Sequence, residues 1–225
     1  MLQAICLAGC GVATQMTCDL DHRNIGSIAE ASLKQYGIGV MTPSIVTGRE
    51  TDKQIIGQVL GDVLESGLDA DSVVSLVEFL NLVNTAGLAD TYASALDMYD
   101  KTGVIPLASI GRIGEVVNVR YLAKLSLANY EQTQVERFGI AGVRVLSTNR
   151  TRIRVFLEIW DSLSGQIVWY ANEELNIASD RAVEDDLSVR GASTLAIQQM
   201  LDAILERVSP DSIDGSDELI CNVNR

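Results

Sequence analysis

The chain has 225 residues, with 17 Lys and Arg against 30 Asp and Glu, a formal charge of −13. An acidic excess without a basic cluster excludes nucleic acid and a polybasic hold on anionic lipid, since both need Lys or Arg to neutralise phosphate. A hydrophobic content of 47% with only 3 Pro belongs to a folded chain large enough to bury a core. No apolar run approaches the roughly 18–20 residues of a spanning helix.

The chain opens Met-Leu-Gln-Ala-Ile-Cys-Leu-Ala-Gly-Cys. Its last four residues, Leu7-Ala8-Gly9-Cys10, resemble the lipobox of bacterial lipoproteins. That resemblance implies cleavage before Cys10, acylation of its thiol (palmitate among the chains) and a lipid anchor. Residues 1–9 are then the remnant of a signal peptide and 10–24 a small, polar, lipidated tether. Only nine residues precede Cys10, none of them Lys or Arg, so the leader's true start is expected upstream of Met1. The alternative is an ordinary small-residue N-terminus with a buried Cys. Loss of Cys6 with the leader and acylation of Cys10 leave Cys18 and Cys221 as a candidate disulfide. It would close a loop of about 200 residues, worth about 4–5 kcal/mol in the chain-entropy model. Two free thiols are the alternative. With no Cys-x-x-Cys and His22 as the single His, no metal, redox dithiol or cofactor is expected.

Next in order, a short helix is expected over 25–35, stopping at Gly37, then a core strand in the first half of 37–46, broken by Pro43. Ile56, Val59, Leu60, Val63 and Leu64 recur at helical spacing, with Thr51 or Asp52 as N-cap and Gly67 as the stop. Gly48 lacks the second Gly and Lys-Ser/Thr of a phosphate loop. Residues 72–83 read as strand, helix or one followed by the other. Tyr92, Leu96 and Tyr99 share a helical face that ends at Gly103. Pro106 starts a short helix expected to close at Gly114. Val119, Tyr121, Ala123, Leu125 and Leu127 alternate with polar residues, as do Ile153, Val155, Leu157 and Ile159 with Arg152, Arg154 and Glu158. The turn Asp161-Ser-Leu-Ser-Gly165 returns the chain through Ile167-Val-Trp-Tyr-Ala, the clearest hairpin. An amphipathic helix carrying Ile197, Leu201, Ile204, Leu205 and Val208 closes residues 25–208, leaving 209–225 as an acidic tail. The expected class is α/β, one mixed-sheet domain with helices packed on the sheet, preceded by the lipidated tether.

The Ile38-Gly-Val strand, the Thr47-Gly-Arg-Glu-Thr-Asp loop, the Tyr121-Leu strand start and the hairpin Arg152-Ile-Arg-Val-Phe-Leu-Glu-Ile-Trp-Asp with Ser164-Gly-Gln-Ile-Val-Trp169 carry a wider likeness. Over roughly 37–208 the chain resembles the periplasmic α/β domain of the curli-secretion (CsgG-like) outer-membrane lipoproteins. That domain is related in fold to the lipoprotein activators of penicillin-binding proteins. The resemblance implies an anchored periplasmic domain that contacts other proteins. It does not carry the family's pore with it. Six carboxylates between Glu173 and Asp186 bar a lipid-facing strand there, and Tyr130–Asn149 alternates only in fragments.

Carboxylate pairs such as Glu173/Glu174 and Asp211/Asp214 read as solvated acidic loops rather than a glycosidase pair or a calcium loop. His22, placed in the tether, makes a catalytic triad an unpromising reading. Trp160, Trp169 and Tyr170 cluster on the hairpin; such aromatics are more often core or sheet-face residues, and an exposed subset of them is the candidate protein-binding face, aromatics being enriched at interface hot spots. The expectation is a non-catalytic, lipid-anchored adaptor facing the periplasm from the outer membrane, binding another envelope protein or its own copies. The alternative is an oligomeric subunit of a secretion assembly without membrane hairpins of its own.

Overall fold

A computed structural model describes residues 14–26, 28–45, 49–140, 143–181, 187–206 and 219–224. Four long antiparallel strands dominate: β1 (Thr14–Asn24), β5 (Tyr121–Ile140), β6 (Val143–Asp161) and β7 (Gln166–Arg181). Short strands β2 (Ile38–Val40), β3 (Ser44–Ile45) and β4 (Val73–Val74) add parallel pairings beside the start of β5. Strand β8 (Leu219–Asn224) lies parallel to β1. The result is one mixed sheet in the order β4-β2-β5-β6-β7-β1-β8, with β3 on β5 beside that path.

Parallel neighbours need crossovers, and helices supply them here. Helix α2 (Asp52–Gly67) lies between β3 and β4, while α3 (Leu76–Thr85), α4 (Ala89–Thr102) and α5 (Leu107–Val117) lie between β4 and β5. Helix α1 (Glu30–Tyr36) leads into β2, and α6 (Val189–Ile204) follows β7. None of these is long and apolar enough to cross a membrane.

The helices divide between two cores. Ile56, Leu60 and Leu64 of α2 and Ala196, Ile197 and Met200 of α6 pack on Leu125, Ile153, Val155, Leu157, Trp169 and Leu175. On the other side, Phe79, Tyr92, Ile110 and Ile113 of α3–α5 pack around Leu122 and Trp160. Strand alternation explains the division: Leu122 and Ala123 are neighbours in sequence yet belong to opposite cores.

The stretch 72–83 is strand and then helix. Its breakpoint, Ser75, is the N-cap of α3: its Oγ accepts the Glu78 N–H at 3.4 Å, the backbone half of a Ser-x-x-Glu capping box. Helix α5 runs past Gly114 to Val117 and ends at Asn118, whose φ of 59° is left-handed. Helix α1 begins at Glu30, later than its apolar residues suggest.

Two larger expectations need correction. Residues 14–24, taken as tether, form a strand inside the sheet, with Met16, Cys18, Leu20 and His22 opposite β7 residues Ile177, Leu175, Glu173 and Ala171. Polar residues alternate with those four, and that alternation, rather than low polarity, decides the strand. The acidic tail likewise ends in a strand, β8.

One close approach fixes α5 against the β6–β7 turn. A Cβ at Gly114 would lie 2.5 Å from Ser162 Cβ, whereas at Gly111 the nearest atom is 3.4 Å away. Ser162 is itself held by its N–H to Arg120 O at 2.9 Å. Alanine at the two glycines should therefore act in opposite directions. Gly111→Ala gains helix propensity and stabilises by about 0.5–1 kcal/mol, while Gly114→Ala overpacks and destabilises by about 1–3 kcal/mol. Urea midpoints of both variants check this, and equal shifts of one sign would refute it.

Candidate functional site: the open face of the sheet

Helices α3–α5 cover the second face of the sheet only where β5 begins and β6 ends. Farther along, the strands continue with α6 on one face and solvent on the other. Register lays out the open face in rows. Asn129, Arg154, Glu174 and Asp19 form one row across β5, β6, β7 and β1. Glu131, Arg152, Asn176 and Thr17 form the next, and Thr133, Arg150, Ala178 and Gln15 the third. Three arginines thus stand in a column on β6, spaced by the two-residue strand period.

Glu174 accepts hydrogen bonds from both Arg152 and Arg154. Burial works to raise the Glu174 carboxyl, but these two guanidinium groups hold it below the usual range. Both arginines remain nearly half exposed, at 49% and 45% of their side chains, so their remaining donors face water. A groove of about 390 Å³ crosses the second and third rows, lined by Gln15, Thr17, Glu131, Thr133, Arg150 and Arg152 among others. One row closer to the helices, Phe156 is 38% exposed. Cations, carboxylates, amides and an aromatic at fixed spacing make a surface suited to directional polar contact.

The border between open and covered face is a buried polar network. Lys124 is 1% exposed, and its Nζ donates to Thr42 O at 2.7 Å and Ser44 Oγ at 2.8 Å, while lying 5.0 Å from the Tyr99 ring centroid. Ser44 Oγ in turn donates to Asp100 Oδ1 at 2.8 Å. Burial pushes the Lys124 ammonium down to about 8 and, aided by Glu158, the Tyr99 hydroxyl up to about 12. Glu158 is raised by burial although Trp160 Nε1 donates to it at 3.0 Å. The partners come from α4, the β2–β3 connection, β3, β5 and β6, so the network fastens α4 to the sheet.

Cys10 lies outside the described residues. Cys18 is 4% exposed and disulfide-bonded, and register sets Cys221 directly opposite it on β8. The three hairpin aromatics do not share a surface. Trp169 is 1% exposed in the core under α6, and Trp160 is 3% exposed in the core under α3–α5. Tyr170 alone reaches the open face, partly buried between Glu158 and Arg23. His22 belongs to β1, its ring 6.1 Å from that of Trp169. Residues 150–158 held the missed signal, for the arginines alternating with apolar residues mark a wet face opposite a buried one.

Glu173 is not a solvated loop residue. It is fully buried, its strand partners Leu20 and Val155 belong to the core under α6, and neither carboxylate oxygen has a hydrogen-bond partner. Burial, helped by Asp19, pushes it up to about 8.

No protein-family model and no curated protein sequence matches the chain. Among solved structures the chain is similar to the PelC dodecamer from Paraburkholderia phytofirmans, at 13% identity and a TM-score of 0.47, over 84% of this chain and 97% of that one. It is also similar to lipoprotein GNA1162 from Neisseria meningitidis, at 11% identity and a TM-score of 0.39, over 76% of this chain and 99% of that one. A neuraminyllactose-binding hemagglutinin homolog from Helicobacter pylori gives 11% identity and a TM-score of 0.39, over 79% of this chain and 85% of that one. One of the three is a lipoprotein and another a dodecamer. They do not show the expected kinship with the curli-secretion proteins.

The pH behaviour of Glu173 follows from its geometry. Unfolded, the carboxyl ionises near its ordinary value of 4.5; folded, it keeps its proton until about 8. The folded state therefore holds the extra proton between those values, and stability falls as pH rises through that window, then levels off. The full penalty is on the order of 5 kcal/mol. Glu173→Gln, which cannot ionise, should lose this decline. Urea unfolding at pH 5 and pH 9 measures it, and parallel curves for wild type and variant would show that Glu173 does not carry the effect.

Proposed function

We propose that the chain is a lipid-anchored binding protein of the bacterial cell envelope, non-catalytic, which docks another envelope protein on its open sheet face. The observation that carries this reading is the arginine column of β6. Arg150, Arg152 and Arg154 stand between the carboxylates of Glu131 and Glu174 on a strand paired on both sides. Charged groups at fixed spacing on a rigid sheet favour specificity and oriented encounter with a protein of complementary charge.

Two further features support the location. A disulfide at Cys18 belongs to an oxidising compartment such as the periplasm, and strand neighbours about 4.8 Å apart lie within disulfide reach, which favours Cys221 as its partner. The Leu7-Ala8-Gly9-Cys10 sequence supports acylation of Cys10 and an outer-membrane anchor.

Expressed from its full upstream reading frame in a bacterial host, the chain should incorporate labelled palmitate and fractionate with the outer membrane. Cys10→Ser should remain unlabelled and become soluble in the periplasm. An unlabelled wild type would end the anchor. For the face, a photocrosslinking residue at Thr17 or Thr133 should give a discrete adduct in intact cells, and one at Asp97 on α4 should not. Adducts of equal yield from all three positions would remove the docking face.

A further inference from the structure

We propose that the open face reads a mixed-charge segment of its partner protein, which sets a carboxylate on Arg150 and, two residues away, an ammonium or guanidinium on Glu131. The proposal rests on the docking of an envelope protein on this face and names the chemistry that the docking selects.

The three arginines of β6 are not equivalent. Arg152 and Arg154 share one carboxylate, that of Glu174. Arg150, one row farther along, is exposed and makes no ion pair or hydrogen bond through its side chain among the described residues. Glu131 stands opposite Arg152 on β5, but Arg152 turns both Nε and Nη2 the other way, to Glu174 Oε1. The Glu131 carboxylate is therefore left exposed, also without an ion pair among the described residues.

Charge counting argues against a purely acidic partner. Across the three rows Arg150, Arg152 and Arg154 stand among Glu131, Glu174 and Asp19, three charges of each sign. An all-acidic segment would meet as many carboxylates as guanidinium groups, and like charges brought together at an interface are penalised. What Arg150 and Glu131 leave unspent is one charge of each sign.

Their spacing suits an extended segment. Arg150 is level with Thr133, one row beyond Glu131, so the two charges are diagonal neighbours on adjacent strands, about 7–8 Å apart at the backbone. An extended chain sets residues i and i+2 on one face about 6.4–6.8 Å apart, close to that span, whereas helical neighbours stand only about 5–6 Å apart. Around the pair the groove of about 390 Å³ is polar and uncharged, with Gln15, Thr17, Thr133 and Asn176 exposed along it. Their hydroxyls and amides both donate and accept, as a main chain laid over the sheet requires. The groove crosses four strands, about 14 Å at the usual strand spacing, with the sheet as its floor. A small zwitterion lying there would be covered from one side only, whereas small-molecule sites enclose most of their occupant. A protein segment brings the second side with it.

Nuclear magnetic resonance titration of the oxidised full chain with four capped peptides tests this. The peptides are Ser-Lys-Thr-Glu-Ser, its counterparts with two Glu or two Lys, and an uncharged one with two Gln. The mixed peptide should shift the Thr17 and Thr133 amides and the Arg150 Nε–H saturably, and bind about threefold or more tighter than the other three. Glu131→Lys should move the preference to the two-Glu peptide, and Arg150→Glu should move it to the two-Lys peptide. Methyl resonances of Leu157 and Ile197 in the core report whether each variant keeps its fold. Glu131→Gln and Arg150→Gln, which add no charge, should flatten the same preference and serve if a reversal does not fold. Equal binding of the four peptides, a preference unmoved in the folded variants, or free glycine binding as tightly as the mixed peptide would overturn the proposal. The photocrosslinks at Thr17 and Thr133 report on docking separately. Adducts that persist beside a failed peptide preference overturn the charge rule alone, and absent adducts overturn the docking on which it rests.

Discussion

The register of β6 between β5 and β7 is the constraint on which the two faces of this protein depend. Ile153, Val155, Leu157 and Ile159 reach the core beneath α6, and the residues that alternate with them include Arg152, Arg154 and Glu158. A slip of one residue would drive guanidinium groups into that core and expose four branched side chains. Burial of those side chains is worth about 1.5–3 kcal/mol each, so the slipped register is heavily disfavoured. What fixes the core thereby also fixes the arginine column on the other face, with its spacing and its pairing to Glu174. Core and candidate site are two readings of one alternation.

Against that background the two buried charges have different logics. Lys124 is compensated: its ammonium has a carbonyl and a hydroxyl as acceptors and an aromatic ring beside it. It joins elements distant in sequence, since Thr42 and Ser44 precede β5 by some 80 residues. Glu173 is uncompensated and avoids the cost of a buried anion by holding its proton. The first is the kind of satisfied network that fastens one packing arrangement, and the second is a cost that the surrounding apolar burial must exceed. The fold therefore depends on pH through a residue on the core side of β7, on the opposite face from the arginines.

How much of this was legible in the chain depends on which signal each element used. Helix α2 and the β6–β7 hairpin were readable because their apolar residues keep one period over many positions. Strand β1 was not, because Thr17, Asp19, Asp21 and Arg23 make it polar on average, and only the alternation of Met16, Cys18, Leu20 and His22 reveals it. Strand β8 is shorter still, and it exists as a strand only because β1 offers a partner far away in sequence. Trp160, Trp169 and Tyr170 illustrate a further limit. Adjacency in sequence suggested one aromatic cluster, but neighbouring strand residues point to opposite faces, and the register shift between Ile159 and Trp160 leaves Val168 as an extra residue on β7, so that Val168 and Trp169 share one core while Trp160 belongs to the other. Glu173 and Glu174 differ for the same reason, one buried and the other ion-paired at the surface.

The position of Cys10 relative to the strands bears on how an acyl chain at that residue would set the sheet. Four residue steps separate Cys10 from Thr14, the first residue of β1, a reach of at most ~14 Å for an extended chain. Thr14 is level with Ser179, Asn149 and Gln134 across the sheet, and β5 and β6 continue past that level to the pair Ile140 and Val143. A lipid on Cys10 would therefore bring this end of the sheet to the bilayer and leave α3–α5, at the opposite end, farther from it.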